Sequence, residues 1–282
     1  MKLVSFVGES GDTFGVVHET GVVDVGRRMG GRYADLRAVL EAAALDQVAE
    51  TAAGAGPDAD LDEITFLPVV PTPGKIVCVG LNYDEHRIET GREPTGHPVL
   101  FPRFADCQIG HREAMVKPVN SDMLDYEGEL AVIIGRPARH VGREAALGHV
   151  AGYACYNDGS VRDFQGHTHQ FLPGKNFPAT GAFGPWMVTA DEIPDPSRLT
   201  LATRLNGEEM QRSGTDRMIF DVPYLISYIS SFMTLRPGDV IVTGTPAGVG
   251  FRRDPPVFLK DGDLVEVEID AIGVLSNPVV DE

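Results

Sequence analysis

The sequence predicts a β-rich α+β fold, and three observations support this fold class. Short runs rich in β-branched residues recur along the chain and are separated by Gly, Pro and Asp, which is typical of strands joined by turns. Only residues 33–53 and 222–233 have convincing helical periodicity, too few helices for a doubly wound parallel sheet. The 282 residues are 43% hydrophobic, which is enough for a sizeable core.

Taken in order, the segments predict two domains. Residues 1–25 alternate apolar and polar side chains around Gly-containing turns, which favours a small antiparallel meander. The helical stretch 33–53 follows, and the Pro-rich segment 67–74 interrupts both strand and helix patterns. We therefore expect a small N-terminal α+β domain over residues 1–70 and a larger β-rich domain over residues 71–282.

Charge and composition restrict the class of partner. Asp and Glu total 41 against 24 for Lys and Arg, a formal net charge of −17 that disfavours nucleic-acid and membrane-surface binding. The three cysteines form no CxxC pair, as expected in a reducing compartment. No secretory signal and no run of about 18 apolar residues is visible. We expect a cytoplasmic protein that acts on a small molecule.

The stretch DYEGELAVIIG, residues 125–135, carries the strongest candidate for a metal site. Strand alternation would place Asp125, Glu127 and Glu129 on one face, where three acids repel unless they are solvated or gathered around a cation. A solvated strand edge is an equally good explanation of this spacing. Asp158, at the end of another apolar run, favours a site for a hard ion, Mg²⁺, Mn²⁺ or Ca²⁺, because no Cys or His cluster accompanies the acids.

A polar, glycine-flanked segment over residues 80–96 contains a candidate general base. His86 and Glu89 lie three positions apart, so a helical turn would place them on one face. A carboxylate beside an imidazole orients the ring and favours its protonated form, the pairing that a water-activating base needs. For this pair by itself, a solvated helical turn is the commoner explanation.

Two further segments carry groups suited to an anionic substrate. Arg162, Gln165 and Lys175 could hold a substrate carboxylate and stabilise an enolate, although on spacing alone two loops with ordinary surface cations are the commoner explanation. The Gly-rich segment 243–250 lacks the GK[ST] ending of a phosphate loop. We expect it to form a tight turn that offers backbone N–H groups and the Thr245 hydroxyl to an oxyanion.

Taken together and in order, these stretches resemble the fumarylacetoacetate hydrolase (FAH) superfamily. The matching pieces lie between residues 73 and 280 and include KIVCVGLNYDEH, DYEGELAVIIG, AGYACYNDGSVRDFQ, PGKNF and RPGDVIVTGTPAGVGF. The resemblance is to the branch of acylpyruvate hydrolases and 2-oxo acid decarboxylases and isomerases. It implies a β-sandwich-roll catalytic domain beside a small variable N-terminal domain, usually in a homodimer, with one divalent ion per active site.

The resemblance also implies roles for individual residues. Glu127, Glu129 and Asp158 match the metal ligands, with Mg²⁺ or Mn²⁺ expected and Ca²⁺ as an alternative. The catalytic positions are His86 and Glu89, as a dyad on a closing lid, and Lys175 beside the metal. The substrate-side positions are Arg162, Gln165, Thr245, Tyr83 and Arg103. Arg103 departs from the family pattern, as do His167 and His169, and these three could bind a second carboxylate or a hydroxylated tail of the substrate.

The implied activity is hydrolysis of a C–C bond in an acylpyruvate-like 2,4-dioxo acid. Members of the family act on 2-oxo acids that chelate the metal, a His–Glu dyad activates water, and a pyruvate enolate leaves. The alternative is a metal-dependent decarboxylase or isomerase of a dicarboxylic 2-oxo acid of the oxaloacetate or hydroxymuconate type. A catalytically silent binding module is a third possibility, but no ligand or dyad residue is missing.

Overall fold

The computed structural model describes residues 1–19 and 21–282 and confirms the predicted strand-rich mixed fold. The strands are β1 (Lys2–Gly8), β2 (Gly11–His18), β3 (Gly21–Val23), β4 (Ala59–Asp60), β5 (Thr65–Phe66), β6 (Ile76–Gly80), β7 (Val99–Arg103), β8 (Gln108–Ile109), β9 (Met115–Lys117), β10 (Leu124–Asp125), β11 (Gly128–Ile134), β12 (Val150–Asp158), β13 (Ser160–Val161), β14 (Gly181–Thr189), β15 (Thr200–Leu205), β16 (Glu208–Gly214), β17 (Val240–Val242), β18 (Leu264–Ile269) and β19 (Gly273–Asp281). The helices are α1 (Val25–Arg28), α2 (Leu36–Glu41), α3 (Leu45–Ala52), α4 (Asp84–Glu89), α5 (Arg143–Ala146), α6 (Arg162–Gln165), α7 (Leu172–Lys175) and α8 (Val222–Phe232).

Across the described residues, the strands form two large sheets. The larger has twelve strands in the order β4-β3-β2-β1-β14-β12-β11-β17-β6-β7, with β5 added to β1 and β8 added to β14. The smaller has five, in the order β16-β15-β18-β19-β9, and β10 pairs separately with β13. The smaller sheet packs against β11, β12 and β14 of the larger one.

Strand β11 shows why the run LAVIIG is wholly apolar. Leu130 and Val132 point into a core shared with Leu201 of the smaller sheet. Ala131 and Ile133 point to the opposite face, into a core shared with helices α2 and α3. Both faces of the central strand are therefore buried, so the polar alternation of a half-exposed strand disappears.

The N-terminal part joins the large sheet directly. The predicted meander is confirmed as β1, β2 and β3, and β1 then pairs antiparallel with β14 through Lys2↔Val188 and Leu3↔Met187. The apolar side chains of α2 and α3 lie in the same core as those of β11 and β12. One sheet and one core thus continue across residue 70, and the division into two domains at this point stays a prediction.

The helical predictions were confirmed for one segment and wrong in part for the other. Helix α8 occupies almost the whole predicted stretch and is capped at its start by Asp221, which accepts the Tyr224 backbone N–H. The stretch 33–53 contains two helices rather than one, because Ala43 takes a left-handed φ of 52° between α2 and α3. Among the described helices, none is both long enough and apolar enough to cross a bilayer.

Candidate metal centre and its lid

Three carboxylates meet where β11 begins and β12 ends. The antiparallel register places Gly128 opposite Asn157, and the Asp158 backbone N–H donates to the Glu127 carbonyl at 2.9 Å. This pairing brings oxygens of Glu127, Glu129 and Asp158 within 4.8 Å of one another, with all three residues buried. The residues predicted as metal ligands from two distant segments therefore lie together.

Three buried cations balance these acids. Lys175 Nζ lies 2.7 Å from Glu127 Oε2 and 2.6 Å from Asp158 Oδ2. Arg162 Nη1 donates to Glu127 Oε1 at 2.6 Å, and Arg103 Nη1 donates to Asp158 Oδ1 at 2.6 Å. Buried charges require such direct pairing because their desolvation costs several kcal/mol per ion.

Glu129 is the least compensated acid in the cluster. Its carboxylate accepts the Gly244 backbone N–H at 2.5 Å, and among the described residues no cation forms an ion pair with it. Burial, reinforced by the charges of Asp158 and Glu127, raises the pKa of Glu129 well above its usual value. Burial also opposes ionisation of Glu127, but Lys175 and Arg162 outweigh it and lower the pKa of Glu127 to about 2. A further hard cation would relieve this residual repulsion, and three carboxylate oxygens are a donor set that fits Mg²⁺, Mn²⁺ or Ca²⁺.

Asp125 does not join the cluster, contrary to the alternation expected from the sequence. Strand β10 ends at Asp125 and β11 begins only at Gly128, so the regular alternation is interrupted between them. The Asp125 carboxylate instead accepts backbone N–H groups from Gly250 at 2.9 Å and Phe251 at 3.0 Å, and Arg162 Nε at 2.8 Å. Asp125 therefore positions Arg162 and the loop after Gly248.

The predicted dyad lies on the short helix α4. His86 is buried, and its Nδ1 lies 3.2 Å from Glu89 Oε2. The second Glu89 oxygen accepts the Gly248 backbone N–H at 3.0 Å. The carboxylate is held from both sides, so it can orient the imidazole and balance a positive charge on it.

A cavity of about 210 Å³ brings most of the predicted residues together. Its wall includes His86, Glu127, Glu129, Arg162, Gln165, Lys175 and Thr245. Glu89 and Asp158 support this wall through His86 and Lys175 respectively. The arrangement combines an oriented base, clustered carboxylates and buried cations within one small space.

Two predicted substrate contacts are not placed for that role. Arg103 has a fully buried side chain that donates to Asp158 and to the Gly159 carbonyl, so it positions a candidate ligand instead of contacting substrate. Tyr83 is buried in the core rather than on the cavity wall. His167 and His169 are exposed, as expected for loop residues, and do not line the cavity.

The Gly-rich segment 243–250 forms the expected turn, but its N–H groups bind the protein's own carboxylates. Gly244 donates to Glu129 and Gly248 donates to Glu89. Both glycines have positive φ angles, 102° and 103°, which let the backbone present its N–H groups inward. The segment therefore orients the acids of the site.

The Thr245 hydroxyl is already engaged within the protein. It donates to the Gly128 carbonyl at 3.0 Å and accepts from Gln211 Nε2 at 2.8 Å, so its one donated proton is used. Gln211 lies on β16 of the smaller sheet and also accepts the Gly128 backbone N–H at 3.0 Å. Neither its type nor its spacing distinguishes it in the sequence, so this contact was missed.

Two aromatic rings at the site were also missed. The Phe251 ring lies 4.3 Å from the Arg162 guanidinium, and the Phe101 ring lies 5.2 Å from Lys175 Nζ. Aromatic faces stabilise buried cations and exclude water from them. Isolated Phe residues in β-rich sequence carry no local signal of such a role.

Comparison with known proteins supports a single family. The model for "Fumarylacetoacetate (FAA) hydrolase C-terminal" matches residues 75–280. Oxaloacetate tautomerase FAHD2A, mitochondrial, of Bos taurus is 44% identical over 220 residues, covering 77% of this chain and 70% of the relative.

Solved structures agree over the whole chain. A putative HpcE protein from Mycobacterium smegmatis has a TM-score of 0.91 at 37% identity and covers 100% of this chain and 99% of its own. Maleylpyruvate hydrolase from Sphingobium sp. SYK-6, in complex with manganese (II) ion and pyruvate, has a TM-score of 0.83 at 31% identity with the same coverage. Since the family model covers well over half of the sequence and the fold agrees along its length, the chain belongs to the fumarylacetoacetate hydrolase family.

Proposed function

We propose that this protein is a divalent-metal-dependent enzyme that interconverts the keto and enol forms of a short dicarboxylic 2-oxo acid of the oxaloacetate type. The observation that carries the proposal is that the His86 base and the carboxylate cluster line one cavity of about 210 Å³. The Bos taurus relative is named as an oxaloacetate tautomerase, which supports this choice over the hydrolysis expected from the sequence.

Glu127, Glu129 and Asp158 would hold the ion, for which Mg²⁺ and Mn²⁺ are the leading candidates. When bound, a divalent ion supplies Lewis-acid polarisation of a carbonyl oxygen and offsets developing negative charge. The manganese ion in the Sphingobium structure supports this assignment.

His86 would act as the proton carrier. Because the Glu89 carboxylate can only accept, Nδ1 carries the proton and Nε2 is left with the lone pair of a base. Nε2 would remove a proton from the carbon next to the keto group, and Glu89 would balance the imidazolium that forms. The removal breaks one C–H bond and forms one N–H bond, and return of the same proton to the keto oxygen breaks that N–H bond and forms one O–H bond, which completes the conversion to the enol.

Lys175 and Arg162 would stabilise the charge that passes to the substrate during this transfer. Both side chains are buried beside Glu127, and both line the cavity. In a site with little water, fixed cations stabilise a developing oxyanion more strongly than mobile solvent does. Lys175 keeps its charge there, because the acidic neighbours Asp158 and Glu127 outweigh burial and raise the pKa of its ammonium group.

Hydrolysis of an acylpyruvate-like 2,4-dioxo acid is the second candidate. The Sphingobium hydrolase, crystallised with manganese and pyruvate, has the same fold at 31% identity. The His86–Glu89 pair can act as a general base toward water as well as toward a carbon acid, so the dyad is compatible with both reactions. The substrate, rather than the base, would decide between them.

The test uses Mn²⁺-loaded protein with oxaloacetate and, separately, acetylpyruvate. Enol absorbance gives the tautomerisation rate, and NMR identifies the products. Accelerated keto–enol conversion of oxaloacetate without cleavage, absent in His86→Gln, supports the proposal. Pyruvate and acetate from acetylpyruvate, without enhanced enolisation of oxaloacetate, would move the function to hydrolysis, and carbon dioxide from oxaloacetate would move it to decarboxylation.

A further inference from the structure

In the described part of the chain, two arginines without acidic partners line the cavity near helix α4. Arg92 and Arg252 are both on its wall. Over residues 1–19 and 21–282, neither forms an ion pair with a carboxylate. The chain has 41 acidic residues and 24 Lys and Arg residues. With so many acids available, two guanidinium groups without an ion pair at one cavity indicate an anionic ligand.

Arg252 is exposed, and its side chain is anchored to the end of helix α4. Its Nη2 donates to the Thr90 carbonyl at 2.7 Å, at the C-terminal end of α4. This is the one hydrogen bond that the Arg252 side chain makes within the described part of the chain, so most of its five N–H donors stay available to a ligand. Its guanidinium also lies 4.9 Å from the centre of the Phe251 ring.

The same ring relates Arg252 to the carboxylate cluster. The Arg162 guanidinium lies 4.3 Å from the Phe251 ring centre and bonds Glu127. Arg252 is therefore separated from Arg162 by less than the sum of the two ring distances. With C–C bonds of about 1.5 Å, an extended four-carbon diacid places its carboxyl carbons about 4 Å apart. Because a guanidinium and its paired carboxylate lie no more than about 4 Å apart, such a diacid is long enough to reach from Arg162, which bonds Glu127, to Arg252.

We infer that Arg252 binds the second carboxylate of a dicarboxylic 2-oxo acid, with Arg92 adding positive charge to the same end of the cavity. The inference rests on the proposed function, because it assumes that the 2-oxo acid end lies at the carboxylate cluster. A guanidinium suits this role, since its planar donors match both oxygens of a carboxylate. Arg252 then determines specificity between diacids and otherwise similar monoacids.

The test compares oxaloacetate with acetylpyruvate, in which an acetyl group replaces the second carboxylate. Binding is measured in the presence of Mn²⁺ by calorimetry on His86→Gln, which should not turn either compound over, and on His86→Gln/Arg252→Gln. The expected result is at least a tenfold fall in the affinity ratio of oxaloacetate to acetylpyruvate. Arg252→Lys should retain part of the preference, because it keeps the charge but loses the planar donors.

Arg32→Gln, in the same His86→Gln background, is the matched control, because it removes an arginine that does not line the cavity. It should leave the ratio unchanged. The inference is overturned if Arg252→Gln weakens the binding of both compounds equally, since Arg252 would then only support helix α4 through Thr90. It is also overturned if Arg252→Gln leaves the affinity for each compound unchanged.

The two proposals fail in different ways. Loss of diacid preference in Arg252→Gln, together with wild-type protein that does not accelerate enolisation, would refute the proposed reaction and support the role of Arg252. Accelerated enolisation together with an unchanged affinity ratio would support the reaction and refute the role of Arg252.

Discussion

The Gly248 backbone N–H donates to Glu89 Oε1 at 3.0 Å, and this bond joins the Gly-rich turn to helix α4. Glu89 uses its other oxygen on His86. The orientation of the candidate base thus depends on a backbone group 159 residues further along the chain. A distortion of this turn should therefore change the orientation of His86 and lower activity, even though the turn carries no catalytic side chain.

Gly248→Ala is expected to destabilise the protein and to reduce activity. The φ of 103° disfavours an L-residue by about 1–2 kcal/mol, and an added Cβ would lie 2.2 Å from the Met210 carbonyl oxygen. Urea unfolding and steady-state rates measure the two effects. Gly262→Ala is the control, because Gly262 has a φ of 83° with open space around it. This variant should lose only the stability that the unfavourable backbone conformation costs. Equal losses in the two variants would contradict the argument.

His86→Gln is expected to lower kcat by about 10²–10⁴-fold, the usual contribution of a positioned base. Mn²⁺ affinity should change little, because His86 is not one of the clustered carboxylates. Stopped-flow rates and metal titration separate the two properties. His169→Gln serves as the control at an exposed histidine off the cavity wall. Full activity in His86→Gln would show that His86 is not the catalytic base.

Glu129→Gln is expected to weaken metal binding while stabilising the metal-free protein at alkaline pH. Since burial and then the charges of Asp158 and Glu127 raise the pKa of Glu129, the folded state keeps this proton to higher pH than the unfolded chain does. The wild-type free energy of unfolding should therefore fall relative to the variant as pH rises above the usual value of 4.5.

Urea unfolding with chelator at pH 5 and pH 8 measures this difference for Glu129→Gln. Glu209→Gln, at an exposed acid paired with Arg212, is the control and should not alter metal affinity. A wild-type-to-variant gap of the same size at both pH values would show that Glu129 does not titrate abnormally.

Arg103→Met is expected to cost about 3–5 kcal/mol of folding free energy, because it leaves the buried Asp158 carboxylate without its guanidinium partner. Arg112→Met breaks an exposed ion pair with Asp62 and should cost less than about 1 kcal/mol. Chemical denaturation of both variants gives the comparison. A small effect at Arg103 would mean that Lys175 compensates Asp158 by itself.

Much of the site was predictable because its acids and bases stand in motifs that, taken in order, resemble one family, although each motif by itself also fitted a solvated surface. Glu127 and Glu129 flank the start of a doubly buried strand, where unneutralised carboxylates are unexpected, and Asp158 ends another apolar run. His86 and Glu89 share one turn of α4, as their spacing predicts. The predicted homodimer concerns surfaces beyond one chain and stays a prediction.

The sequence by itself determined the strand-rich fold, the N-terminal meander and helix α8, because periodicity and short spacings act over a few residues. The candidate ligand and dyad residues followed from the ordered set of motifs that resembles one family, since spacing alone left solvated alternatives open. Only the tertiary structure decided what each polar group contacts. Arg103 became a buried partner of Asp158, and the Gly-rich turn came to bind Glu129 and Glu89. These contacts join segments far apart in the chain, and strand pairing and burial, which no local pattern encodes, determine which charges meet.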